Sequence, residues 1–241
     1  MMTLKVRLFI LLFWANWGIT WSQGRLELGG FVGVAGYLGD LNKSDWLSKE
    51  PRPAYGAFVR YNLTPRLSGS LSLLHGRLSG RDSHYADRAS RNFSTTTPIN
   101  ELTAQVEFNL WPLTDPRNPR NFSPAFTPYL FVGAGVATTK PAPDFENVIV
   151  AKPEYTDGAE ADGVAKYSNT HVILPFGLGL KYRFRPEWTL TVEAGFRLTF
   201  SDYLDGISAA ANPAKNDRYK FSGVTLAYRF KKSATKCIVD Y

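Results

Sequence analysis

From residue 26 onward the chain alternates apolar and polar side chains with period two, and its polar face carries charges in mid-segment. Between Glu101 and Leu110, the residues Leu102, Ala104, Val106, Phe108 and Leu110 alternate with Glu101, Thr103, Gln105, Glu107 and Asn109. Successive side chains of a strand point to opposite faces, so this segment predicts a strand with one purely apolar face. Val172, Leu174, Phe176, Leu178, Leu180, Tyr182 and Phe184 alternate in the same way with a face that holds Lys181 and Arg183. The face running from Trp188 to Phe200 stands opposite Glu193 and Arg197. A soluble sandwich also alternates, but it turns its apolar face inward. Mid-strand charges opposite apolar faces of five to seven positions fit the inverse arrangement. There the charges are enclosed in a barrel and the apolar side faces lipid. A membrane-crossing strand needs about 9–11 residues, a length these segments meet.

Eight such strands are predicted, over residues 26–37, 54–63, 66–74, 101–110, 129–138, 171–184, 188–200 and 219–230. The fold class is all-β, an eight-stranded antiparallel transmembrane β-barrel with up-and-down meander order. The connections alternate in length. Residues 62–66 and 185–187 are short turns, whereas 38–53, 75–98, 139–170 and 201–218 are long. Short turns on one side and long loops on the other is the outer-membrane pattern, with the long loops outside. Residues 111–128 break it, being long and proline-rich on the side expected to hold turns.

The first residues read as a separate unit. Lys5 and Arg7 precede an apolar run from Leu8 to Ile19, and Thr20-Trp21-Ser22 supplies small residues for a peptidase. This predicts a signal peptide over 1–22, a barrel over 23–230 and a periplasmic tail over 231–241. The run is too short for a membrane anchor, which takes about 20 apolar residues. No later segment is long and apolar enough for a spanning helix, which leaves a closed barrel as the spanning form. The formal charge of +7 falls to +5 when Lys5 and Arg7 leave with no acid. The bases are dispersed without a stripe, which argues against nucleic-acid binding. The 12 Tyr and 16 Phe suit aromatic girdles at the membrane boundaries.

An eight-stranded barrel has room inside for side chains only. The enclosed set predicted from parity is Glu27, Glu101, Glu107 and Glu193 with Arg60, Lys181, Arg183, Arg197 and Arg229. These must pair across the lumen, because an unpaired buried charge is costly. No catalytic residue is expected: His75, His84 and His171 lack a nucleophile at a recognisable spacing. No cofactor or metal is expected either. Asp40, Asp202 and Asp205 fall in neighbouring loops, but calcium needs six to eight oxygen donors.

Two features lie on the predicted periplasmic side. The irregular connection carries the docking candidates Pro112, Pro116, Arg117, Pro119 and Arg120. Long connections are more often functional than short ones, and prolines lower the ordering cost of binding. The tail carries Lys231, Lys232 and Lys236 and the protein's single cysteine, Cys237. In an oxidising compartment, a cysteine without an internal partner is a candidate for an intermolecular disulfide or a free thiol.

Several segments carry a family resemblance. They are Leu28-Gly29-Gly30 through Tyr37-Leu38-Gly39-Asp40-Leu41, Thr127-Pro128-Tyr129-Leu130-Phe131, and Pro175-Phe176-Gly177-Leu178-Gly179-Leu180-Lys181-Tyr182. A further segment runs from Trp188 through Gly195-Phe196-Arg197 to Thr199-Phe200-Ser201-Asp202-Tyr203-Leu204-Asp205, and the stretch from Thr199 to Asp205 is the most specific part. Together they resemble the PorG-like outer-membrane proteins of Bacteroidota. The resemblance implies a non-enzymatic barrel of the type IX secretion system, in the cell outer membrane. It implies association with a periplasmic ring lipoprotein and its partner (PorK- and PorN-like), to which Cys237 would bridge. The alternative is a free-standing surface barrel with loop-borne ligand binding or lipid-modifying activity. A machine component needs its docking surface on the periplasmic side, a surface receptor on the other.

Overall fold

A computed structural model describes residues 26–38, 51–81, 94–113, 123–140, 143–144, 168–200 and 218–230. The strands are β1 (Leu26–Leu38), β2 (Arg52–Asn62), β3 (Leu67–Arg81), β4 (Ser94–Asn109), β5 (Ala125–Thr139), β6 (Pro143–Asp144), β7 (Thr170–Arg183), β8 (Trp188–Thr199) and β9 (Arg218–Arg229). Eight of them form one antiparallel meander. β1 pairs with both β2 and β9, and β3 pairs with β4, so the sheet closes without a free barrel edge.

The stagger of the closure follows from the register. Moving across paired residues from Leu26 leads through Tyr61, Gly69, Val106, Val132, Phe176, Phe196 and Lys220 to Gly36. The walk returns to β1 ten residues above its start. In eight strands, that offset tilts the strands by roughly 40° from the barrel axis.

The tight turns follow from local chemistry. Thr64 Oγ1 accepts hydrogen bonds from the backbone N–H groups of Arg66 and Leu67, which reverses the chain between β2 and β3. Pro186 occupies the second position of the turn from β7 to β8, closed by Trp188 N–H donating to the Arg185 carbonyl at 3.2 Å. Both turns, the N-terminal end of β1 and the C-terminal end of β9 lie at one end of the barrel, here the short-turn end.

The predicted faces hold throughout. Val32 (71% exposed), Leu73 (60%) and Val132 (60%) point outward, while Glu101, Thr103 and Thr191 are fully buried inside. Trp111 and Phe126 pack edge to face, as do Trp188 and Tyr228, in an aromatic girdle at the short-turn end. Inside, glycine pairs make room for rings. Gly177 and Gly195 face each other across β7 and β8. A Cβ on either would lie 2.5–2.6 Å from Phe131 Cζ. Gly33 and Gly223 accommodate Phe31 in the same way.

The boundaries differ from the sequence expectation in three places. β3 and β4 run on past residues 74 and 101, pairing as far as Arg81 with Ser94. β5 begins at Ala125, four residues early. Within the expected 139–170 loop, β6 pairs with Ser94 and Thr95 as a ninth, two-residue strand of the same sheet, beyond the end of the β4–β5 pairing. The β3–β4 hairpin escaped the apolar pattern because its polarity is inverted. Leu78 and Ile99 are buried inward, whereas Arg77, Thr96 and Asn100 are exposed outward.

Candidate functional site

The chemistry of the chain is concentrated in the lumen, which is divided along its axis. Toward the short-turn end, two carboxylates organise the cations. Glu27 accepts from Arg60 Nη1 at 3.1 Å, Asn62 Nδ2 at 2.8 Å and Arg229 Nη2 at 2.7 Å. Glu107 accepts from Arg60 Nε at 2.8 Å and Lys181 Nζ at 2.6 Å. Lys181 also donates to Asn109 Oδ1 at 2.9 Å and sits 4.2 Å from the centre of the Tyr129 ring. These groups come from β1, β2, β4, β5, β7 and β9, so the network ties most of the wall together.

Toward the other end the lumen is filled by an apolar cluster that includes Phe31, Leu74, Leu78, Ile99, Ile173 and Phe221. A second ion pair is set within it. Arg197 Nε lies 3.2 Å from Glu101 Oε2, Tyr219 donates to the same carboxylate at 2.9 Å, and the guanidinium stacks over Phe221 at 4.8 Å. Burying charges is repaid only when geometry and further hydrogen bonds satisfy them, a condition both networks meet.

All nine predicted interior charges face inward, and one pairing corrects the expectation. Glu193 accepts from the Tyr129 hydroxyl, so a phenol takes the place of a cation. Strand parity alone carried no signal for this contact, which depends on the stagger that brings β5 and β8 residues to one level. A small cavity of about 20 Å³ lies between the two layers, lined by Ser70, Gln105, Glu107, Glu193, Arg197 and Thr225 among others. It has room for about one water molecule. Among the described residues, the ion-pair layer and the apolar layer fill the lumen with side chains.

The histidines are dispersed. His171 is buried near the long-connection end beside Thr139 Oγ1, at 3.0 Å. His75 points outward and contacts Asn100. His84, Asp40, Asp202 and Asp205 lie outside the described residues, among which no group of three or more metal-ligating side chains occurs. At the short-turn end, Pro112 is exposed where the β4–β5 connection leaves the wall. Its flanks are anchored. Leu113 N–H donates to the Pro65 carbonyl at 3.0 Å, and Trp111 N–H donates to Thr127 Oγ1 at 3.0 Å. Leu113 itself is buried. Pro116, Arg117, Pro119, Arg120, Lys231, Lys232, Lys236 and Cys237 lie outside the described residues.

With charges enclosed and an apolar belt outside, the barrel is built to span a membrane. A family model, "Domain of unknown function (DUF6089)", matches residues 5–239. The chain belongs to this family. No curated protein matches it in sequence. Among solved structures, the DUF6089 barrel is similar to Neisserial surface protein A, at 12% identity and a TM-score of 0.48, covering 85% of this chain and 97% of that one. It is also similar to the N-terminal β-barrel domain of Pseudomonas aeruginosa OprF, at 13% identity and a TM-score of 0.43, over 86% and 97% of the two chains. The outer membrane enzyme PagL is a third similar structure, at 13% identity and a TM-score of 0.35, over 83% and 97%.

Proposed function

We propose that this barrel is a non-enzymatic outer-membrane component of a protein secretion machine of type IX, acting as a rigid anchor that binds a periplasmic ring lipoprotein and its partner. The observation that carries the reading is the filled lumen. Among the described residues, ion pairs and an apolar layer occupy the interior, which suits an anchor better than a channel. The resemblance of Thr199-Phe200-Ser201-Asp202-Tyr203-Leu204-Asp205 to PorG-like proteins supplies the partner class. The anchored flanks of the β4–β5 connection support a docking element there, since a loop with fixed ends loses less entropy on binding. A second reading, a free-standing surface barrel with loop-borne ligand binding or lipid-modifying activity, is favoured by the β3–β4 hairpin that stands beyond the opposite rim.

Purification in mild detergent with mass spectrometry of co-eluting proteins separates the two. Recovery of a periplasmic lipoprotein supports the machine. A barrel that elutes alone from cells that assemble the secretion system contradicts it. Deleting residues 114–122 while keeping Trp111, Leu113, Phe126 and Thr127 is expected to preserve heat-modifiable gel migration and reduce secretion. Normal secretion by this variant removes the connection from the interface. Cys237→Ser is expected to abolish a reductant-sensitive heavier species on gels of isolated membranes. If wild-type membranes contain no such species, the tether to the ring lipoprotein is wrong.

A further inference from the structure

The wall changes character at one level near the long-connection end. Below it, the outward residues of β3 and β4 are apolar, with Leu71, Leu73 and Leu102 about half exposed or more. Above it they are polar, and the apolar side chains turn inward, as at Leu78 and Ile99. Such an inversion marks where the surroundings pass from hydrocarbon to the headgroup layer. Four outward side chains gather at this level. Tyr55, His75 and Asn100 are directly opposed across β2, β3 and β4. The Tyr55 and His75 rings lie 5.1 Å apart, and His75 Nδ1 is 2.8 Å from Asn100 Oδ1. Arg77 follows His75 on the same face, one step further from the apolar belt. It is exposed and stands opposite Pro98, which offers no competing side-chain group.

We propose that Tyr55, His75, Arg77 and Asn100 form a binding site on the outside of the wall for the phosphate-bearing headgroup of a membrane lipid. The chemistry fits that ligand at both ends. Arg77 presents a fork of donors matched to phosphate oxygens. The Asn100 amide and the Tyr55 hydroxyl add neutral donors, and the contact with Asn100 holds the His75 ring beside them. Directly beneath, Leu73 and Leu102 line the path of an acyl chain, so headgroup and chain are engaged together. The occupant is a lipid and not a free anion because the polar atoms rest on a lipid-exposed apolar surface and enclose no pocket. The proposal rests on the membrane-spanning reading of the belt and is independent of the secretion role.

The test uses the full chain folded in a neutral detergent, with folding confirmed by heat-modifiable migration in every sample. Native mass spectrometry then measures adducts with diphosphoryl lipid A, with the same lipid dephosphorylated, and with inorganic phosphate. The phosphorylated lipid is expected to bind about tenfold more tightly than the dephosphorylated one, the worth of one or two charge-assisted hydrogen bonds. Arg77→Ala and Asn100→Ala are expected to remove most of that preference. Arg66→Ala, an exposed base at the opposite end, is expected to retain it. Equal binding of the two lipids by the wild-type chain overturns the proposal, as does full preference in Arg77→Ala. Inorganic phosphate binding alone with the same Arg77 dependence overturns the lipid as ligand. A chain that remains folded without detergent fails the membrane reading itself, and that outcome is visible before any ligand is added.

Discussion

Glu107→Ala is expected to destabilise the barrel by about 3–5 kcal/mol, the range for removing one partner of a buried ion pair. Glu107 is the shared acceptor of Arg60 and Lys181, and its side chain is almost wholly buried. Without it, Lys181 keeps Asn109 and the face of the Tyr129 ring, and Arg60 keeps Glu27 and the face of the Phe58 ring, so two cations share too little negative charge. Urea titration in detergent, read by the fraction of heat-modifiable protein, measures the loss. The double variant Glu107→Leu with Lys181→Met is expected to recover much of it, because replacing a buried pair with apolar groups is close to neutral. A single variant as stable as the parent would show that the network contributes no stability.

Arginine placed on the belt gives an effect of similar size by a different route. Val106→Arg, Phe176→Arg and Val192→Arg are each expected to cost about 2–4 kcal/mol near the bilayer midplane. All three side chains are exposed outward, Phe176 and Val192 in mid-strand and Val106 about midway between Asn100 and Trp111, which in this fold means exposed to lipid. Thr191→Ser, on the inner face of the neighbouring position, keeps the hydroxyl and removes one buried methyl, and is expected to cost only about 1 kcal/mol. The same titration compares them after refolding into vesicles of a neutral phospholipid. Equal sensitivity on the two faces would contradict the orientation of the wall.

How far the alternation could be read depended on where each residue sits relative to the lipid. Within the belt, an outward residue meets hydrocarbon and an inward one meets the enclosed core, so polarity reports the face. That is why Glu101 to Leu110 could be assigned residue by residue. Past His75 and Asn100 the outward surroundings are polar, and Leu78 and Ile99 become the buried residues. The pattern predicts a loop there, although the backbone continues as a paired hairpin to Arg81 and Ser94. At the opposite rim, the sequence places Thr127 in the irregular connection of residues 111–128. It is an inward residue of β5 whose hydroxyl binds the Trp111 backbone.

The sequence by itself determined the eight barrel strands, their faces within the apolar belt and nine charges that point into the lumen, because period-two polarity is a local property of each segment. Pairing was decided only by closure. A stagger of ten residues sets which side chains from distant strands share a level. It brings Arg60 between Glu27 and Glu107, and it gives Glu193 a phenol in place of a cation. It also sets Phe131 over the space left by Gly177 and Gly195. No local pattern encodes these contacts, since each depends on the relative slide of strands whose residues are as far apart as Glu27 and Arg229.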